Sequence, residues 1–134
     1  MLMAVADGAG VPVAVHLASA SPHEVTLVEA TLDAAFVDEL AARIVADRAY
    51  HSDPLDAALA RRGIELIAPH RRNRQKPKTQ DGRPLRRYKR RWKIERLFAW
   101  LQSFRRLVVR YEHKAQNYLG FVQLACIIIL MRRF

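Results

Sequence analysis

A single cysteine, Cys126, in 134 residues leaves no disulfide framework and no cysteine-rich zinc site. The five histidines, His16, His23, His51, His70 and His113, show no paired spacing of the zinc type. A glycine-rich phosphate loop, a Gly-x-Ser-x-Gly elbow and a Cys/His nucleophile pair are all absent. No basic region followed by an apolar core opens the chain, so no secretory signal is read. The most apolar stretch, Tyr118 to Met131, is broken by Gly120 and Gln123 and falls short of the roughly 20 residues that a bilayer span needs. Scarcest of all is acid in the second half. Residues 71–134 hold 3 acids against 19 bases, whereas residues 1–70 hold 10 acids against 4 bases. Such a split marks a polyanion-facing surface on one half. With 51% hydrophobic residues the chain can bury a core, which argues against disorder. A soluble, nucleic-acid-facing protein of a reducing compartment is the expectation before any motif is read.

Turn chemistry and apolar periodicity predict an α/β order of elements. Leu2 to Ala6 and Val11 to Ala18 flank Asp7-Gly8-Ala9-Gly10, whose two glycines accept positive φ, and this reads as a β-hairpin. Ser21-Pro22-His23-Glu24 has the form of a capping box and predicts a helix to about Ala35, with Val25, Val28, Thr31 and Leu32 inward. A short strand, Arg43 to Ala46, ends in Asp47. Asp53-Pro54 is read as the cap of a second helix that Gly63 terminates, and Ile64 to Ala68 is a further strand. Residues 69–87 lose all apolar periodicity and read as a mobile basic loop. Ile94, Leu97, Phe98, Leu101, Phe104 and Val108 recur at three- and four-residue steps and predict one long helix from about Tyr88, followed by an apolar helix from Ala115 to Met131.

Three features carry chemistry. Asp47 stands at the C-terminal end of a predicted strand, where α/β sheets place functional side chains; a strand-end or N-cap aspartate is the plainer reading. Glu95 shares one polar row with Tyr88, Arg91, Gln102 and Arg106, all between about 60° and 120° around the helix. It is either half of an ordinary Arg91–Glu95 ion pair or a metal ligand set among cations, since residues 71–96 carry 13 bases and only Asp81 and Glu95 as acids. The basic stretch itself, with Arg71, Arg72, Arg74, Lys76 and Lys78 followed by Arg86 to Lys93, is the strongest signal for nucleic-acid phosphate. Trp92 and Trp100 are placed to stack on bases or to pack on the domain. Cys126, in an apolar helix, reads as core.

The order hairpin, helix, strand ending in Asp47, basic loop and helix bearing Glu95 resembles the later part of the RNase H-like fold of bacterial DDE transposases, in the insertion sequence 4 and 5 groups. Ala46-Asp47-Arg48-Ala49-Tyr50 is similar to their second-aspartate motif. Pro69-His70-Arg71-Arg72-Asn73-Arg74 resembles the basic segment after the next strand, and Tyr88-x2-Arg91-x3-Glu95 matches the Tyr-Arg-Glu signature around the third acid. Arg105 to Tyr111 and the apolar helix ending in Arg132-Arg133 resemble the usual C-terminus.

The resemblance implies an α/β RNase H-like catalytic domain, a mixed sheet with flanking helices truncated at its N-terminus, over residues 1–134. It implies Asp47 and Glu95 as catalytic, metal-holding acids of a two-metal Mg²⁺ (or Mn²⁺) site, and Arg71, Arg72, Arg74, Tyr88 and Arg91 as DNA-binding residues. DNA, as transposon ends and target, is the implied partner; a homo-oligomer is allowed, no membrane is involved, and a bacterial cytoplasmic, nucleoid-associated location follows. Two departures stand out. Gln102 occupies a position that is lysine in the fuller signature, which alters a contact with terminal DNA. The family's first aspartate lies on a strand before the hairpin, and Asp7, in the turn, is not that residue. The expectation is therefore a C-terminal part with a missing N-terminal half, inactive alone. A non-enzymatic basic nucleic-acid-binding protein, with Asp47 and Glu95 structural, is the rival reading.

Overall fold

The computed structural model describes residues 1–79 and 82–133; Asp81, one of the two acids of the basic stretch, lies outside the described residues. Strands β1 (Leu2–Ala6) and β2 (Pro12–Leu17) pair antiparallel, Leu2 opposite Leu17 and Val5 opposite Ala14, with the register shifting at Ala6. The Asp7 carboxylate closes the turn by accepting from the backbone N–H groups of Ala9 (2.8 Å) and Val11 (2.9 Å). Of the two turn glycines only Gly10 takes positive φ, at 82°. A Cβ there would also stand 2.5 Å from the Arg96 guanidinium, which would have to shift, and the positive φ strains any other residue at this position.

The expected capping box does not form. A 3-10 turn, Glu24–Leu27, leads into the short helix α1 (Val28–Asp33), and the N-cap residue His23 makes no side-chain cap bond. The carboxylate of Glu24 is taken instead by the Tyr50 hydroxyl, which donates to it at 2.8 Å. The helix stops before Ala35 because Ala35 pairs with Ala14, and the Phe36 N–H donates to the Val13 carbonyl at 2.8 Å. These residues occupy the free edge of β2. Thr31 and Leu32 are buried as expected.

Strand β3 (Arg43–Val45), helix α2 (Asp53–Arg61) and strand β4 (Glu65–Ile67) form a parallel β-α-β unit with Arg43 opposite Glu65 and Val45 opposite Ile67. The N-cap of α2 is Ser52 rather than Asp53, whose carboxylate is engaged elsewhere. Gly63, at φ 72°, ends the helix as read from the sequence.

The described strands form two separate pairs, β1–β2 and β3–β4, in place of one mixed sheet. Helical structure begins earlier than expected, with α3 (Gly82–Leu85) and a 3-10 turn, Arg86–Arg91, before α4 (Trp92–Gln102). Like charges three and four residues apart disfavour a regular α-helix through this stretch. The single long helix is also interrupted. Phe104 adopts extended backbone, and α5 (Arg105–Val108) starts a new direction. Leu107 is thereby buried and Val108 left exposed, the reverse of what the periodicity implied.

Helix α6 (Ala115–Met131) matches its predicted span. Among the described residues no helix is long and apolar enough to cross a membrane.

Two apolar clusters result. Val15 of β2, Leu97 and Leu101 of α4, Leu107, and Val122, Ala125, Cys126 and Ile129 of α6 make the first. Leu32, Leu55, Leu59, Ile64, Leu66 and Ala68 make the second, around the β-α-β unit. Cys126 is core, and burial pushes its thiol up to about 11, which removes it as a nucleophile near neutral pH.

Candidate metal and nucleic-acid site

Parallel pairing of β3 with β4 carries the chain out at one end of the unit, where Asp47 emerges. Asp47 caps the 3-10 turn Arg48–Tyr50, its Oδ1 accepting from the Arg48 N–H at 2.5 Å. The plainer reading, an N-cap aspartate, is thus part of its role. The remaining acceptor capacity faces the 3-10 turn before α4. Oδ2 accepts from Arg91 Nη1 at 2.8 Å, and Oδ1 also accepts from the Tyr88 hydroxyl at 3.3 Å. The other terminal nitrogen of Arg91 lies 3.0 Å from Glu95 Oε1. One guanidinium therefore joins two carboxylates that are 48 positions apart in sequence. The two terminal nitrogens of its rigid plane are about 2.3 Å apart, so the two bonded carboxylate oxygens are at most about 8 Å apart. Tyr88 completes the group: its hydroxyl accepts from Arg91 at 3.0 Å, and the guanidinium carbon lies 5.3 Å from its ring centre. Asp47 and Glu95 are 49% and 60% exposed and Arg91 is 34% exposed. Burial works against the charge of Arg91, yet Asp47, Tyr88 and Glu95 outweigh it and hold the guanidinium above its usual value.

Helix α4 is fixed to the hairpin by its other charged residues. Lys93 Nζ donates to the Gly8 carbonyl and Arg96 Nη2 to the Ala9 carbonyl at 2.6 Å. The Arg96 guanidinium lies between Trp92 and Trp100, 4.7 Å from each ring centre. Both indoles thus stack on an arginine of their own helix, one turn to either side. Gln102, on the same polar row, is exposed.

The three arginines read alike from the sequence are not alike in the structure. Arg72 is exposed, and Arg71 is exposed with one bond to the Ala49 carbonyl at 3.3 Å. Arg74 is turned inward, with its side chain only 11% exposed. Its Nη1 donates to Asp53 Oδ1 at 2.8 Å and to His51 Nε2 at 3.0 Å, while Nε and Nη2 bond the carbonyls of Lys76 and Pro77. Arg74 therefore does not present a cation to phosphate, and it ties residues 74–77 to the start of α2 where a mobile loop was expected.

His70 joins the same cluster. Its Nε2 accepts from the Thr79 N–H at 3.2 Å, so its Nδ1 carries the proton shared with His51 Nε2 at 2.6 Å. Sequence reasoning missed both histidines because it looked for close spacing. Each follows one strand of the parallel pair, and that pairing brings their rings to a 4.4 Å edge-on contact.

His51, Asp53 and Asp56 offer ligand atoms within 4.8 Å of one another. A guanidinium already serves as the cation there, bonded to His51 and Asp53. Burial raises the Asp56 carboxyl above its ordinary value, which further disfavours a metal ligand. The exposed Asp47 and Glu95 also offer carboxylate oxygens, the donors that hard divalent cations take.

In this α/β chain a strand-end aspartate and a helix glutamate thus share one arginine, beside a strongly basic segment. Residues 1–130 match the family described as the transposase DDE domain. The chain is 35% identical over 133 residues to a protein named as a transposase for insertion sequence element IS402 of Burkholderia cepacia, covering 93% of this chain and 59% of that protein. It is 36% identical over 91 residues to one named for insertion sequence element IS6501 of Brucella ovis, covering 66% of this chain and 67% of that protein. No solved structure matches. The chain belongs to the DDE transposase family of bacterial insertion sequences, and it spans 59% of the length of the first of these relatives.

Proposed function

We propose that these residues form the C-terminal part of an RNase H-like transposase catalytic domain that serves DNA transposition. The observation that carries this reading is the convergence of Asp47 and Glu95 on Arg91. In the working protein the two carboxylates would hold divalent metal, Mg²⁺ or Mn²⁺, and such ions activate the attacking oxygen and stabilise the leaving oxygen in phosphodiester cleavage and strand transfer. Tyr88 steadies Asp47 through its hydroxyl, and in the metal-free chain Arg91 holds the two acids near each other. Arg71 and Arg72, with the exposed cations of residues 86–90, supply the DNA-phosphate surface. Bacterial cytoplasm, where DNA ends and targets are available, is the setting this implies.

The family's first acid is expected on a segment outside these 134 residues, because the Asp7 carboxylate is committed to its turn. The chain alone then lacks the ligand that would place both ions, and a misplacement of about 1 Å costs on the order of 100-fold in rate. In a cleavage assay with Mn²⁺ and DNA carrying the element's ends, the chain alone should be inactive. The chain joined to the upstream segment of a longer relative should cleave, and Asp47→Asn or Glu95→Gln should abolish that activity. Cleavage indifferent to both substitutions would overturn the proposal.

A further inference from the structure

We propose that Arg91 is a placeholder cation: in the metal-free chain its guanidinium neutralises Asp47 and Glu95, and a divalent ion gains these carboxylates only as Arg91 leaves, which frees Arg91 for a DNA phosphate. The inference rests on the metal-site reading above and adds an order of events to it.

Four observations lead there. Arg91 spends one terminal nitrogen on each acid, at 2.8 and 3.0 Å, so it occupies one oxygen of each carboxylate and stands between them where a shared cation would lie. A divalent ion beside those oxygens would meet a fixed positive charge a few ångströms away, and that repulsion is not screened at such a range. All three groups are exposed enough for the arginine to swing out without unpacking a core. Finally, Asp47 keeps two partners when Arg91 departs, the Arg48 N–H and the Tyr88 hydroxyl, so its orientation survives the exchange. The forked guanidinium suits phosphate as well as carboxylate, and the cations flanking it in sequence, Lys89, Arg90 and Lys93, favour an anion there. Because equilibrium coupling is reciprocal, metal and DNA should each strengthen the binding of the other.

The test is Mn²⁺ binding to the 134-residue chain, read from the electron paramagnetic resonance signal of free Mn²⁺. Arg91→Gln should bind Mn²⁺ about tenfold more tightly than wild type, within the usual range of coupling between sites. Arg91→Lys, which keeps the charge, should stay near wild type and controls for altered packing. Adding Asp47→Asn should abolish the gain. A second readout is the affinity for a labelled duplex by anisotropy at matched ionic strength. Mn²⁺ should strengthen binding of wild type several-fold more than binding of Arg91→Gln. If Asp47→Asn abolishes Mn²⁺ binding while Arg91→Gln leaves it unchanged, the placeholder role falls and the metal site stands. If Asp47→Asn leaves Mn²⁺ binding intact, the metal-site reading falls with it.

Discussion

Arg74 and Arg91 make the same kind of contact, a guanidinium nitrogen 2.8 Å from an aspartate oxygen, in opposite surroundings. Arg74 is almost out of water and uses all three of its nitrogens on His51, Asp53 and two loop carbonyls. Arg91 is a third exposed and sits between two carboxylates that are themselves about half in solvent. In the first place one nearly buried cation bonds His51, Asp53 and two loop carbonyls at once, and its loss removes a donor from each of them. In the second, two negative charges face one positive charge in water, an arrangement that another cation can enter at little cost to the fold. Burial of the cation and the number of bonds it makes, rather than the ion pair itself, separate the two arginines.

The sharpest test of this contrast is stability. Arg74→Ala strips the Lys76 and Pro77 carbonyls of their Arg74 donor and takes one donor each from Asp53 and His51, and it should destabilise the chain by about 2 kcal/mol in urea unfolding. Arg91→Ala should cost less than about 1 kcal/mol, the range of exposed pairs. Equal losses would erase the distinction. The next effect is on DNA. Replacing Arg71 and Arg72 together with alanine should lower the salt slope of duplex binding by up to about two, alike for all sequences. Losing Arg74 should weaken binding only through the order of the loop.

A smaller effect is expected with pH. Burial first, then the neighbouring charges of His51 and Arg74, lower the His70 value below its ordinary 6.5. The unfolded chain therefore binds the proton more readily than the folded one. The contribution of this cluster is complete above about pH 6.5 and fades as pH falls through the lowered folded value. Ring signals in a proton NMR titration should show His70 titrating below the ordinary histidine range, and amide exchange in residues 71–79 should quicken over the same range. The smallest change is Tyr88→Phe, which removes the hydroxyl's bonds to Asp47 and Arg91 and should shift unfolding by no more than about 0.5 kcal/mol.

The contrast between Arg74 and Arg91 was not legible in the sequence, whereas parts of the fold and of the candidate site were, for physical reasons. Asp47 and Glu95 could be singled out because one ends an apolar strand and the other is nearly alone among cations. The hairpin, the β-α-β order and α6 follow from turn residues and apolar runs, which are local signals. The different fates of Arg71, Arg72 and Arg74 were not legible, since an aperiodic basic segment carries no mark of which side chain turns inward. Nor was the loss of the capping box, because Tyr50 reaches Glu24 from 26 positions away. The interruption at Phe104 escaped notice as well: the apolar steps continue through it while the backbone does not.

The central claim is that divalent metal belongs to the Arg91 cluster and not to the Arg74 cluster, and paramagnetic line broadening tests it most directly. With substoichiometric Mn²⁺ added to the isotopically labelled chain, the amide signals of Asp47, Arg48 and Glu95 should broaden first, while those of Asp53 to Asp56 persist. Early broadening centred on His51, Asp53 and Asp56, with Asp47 and Glu95 unaffected, would contradict the account.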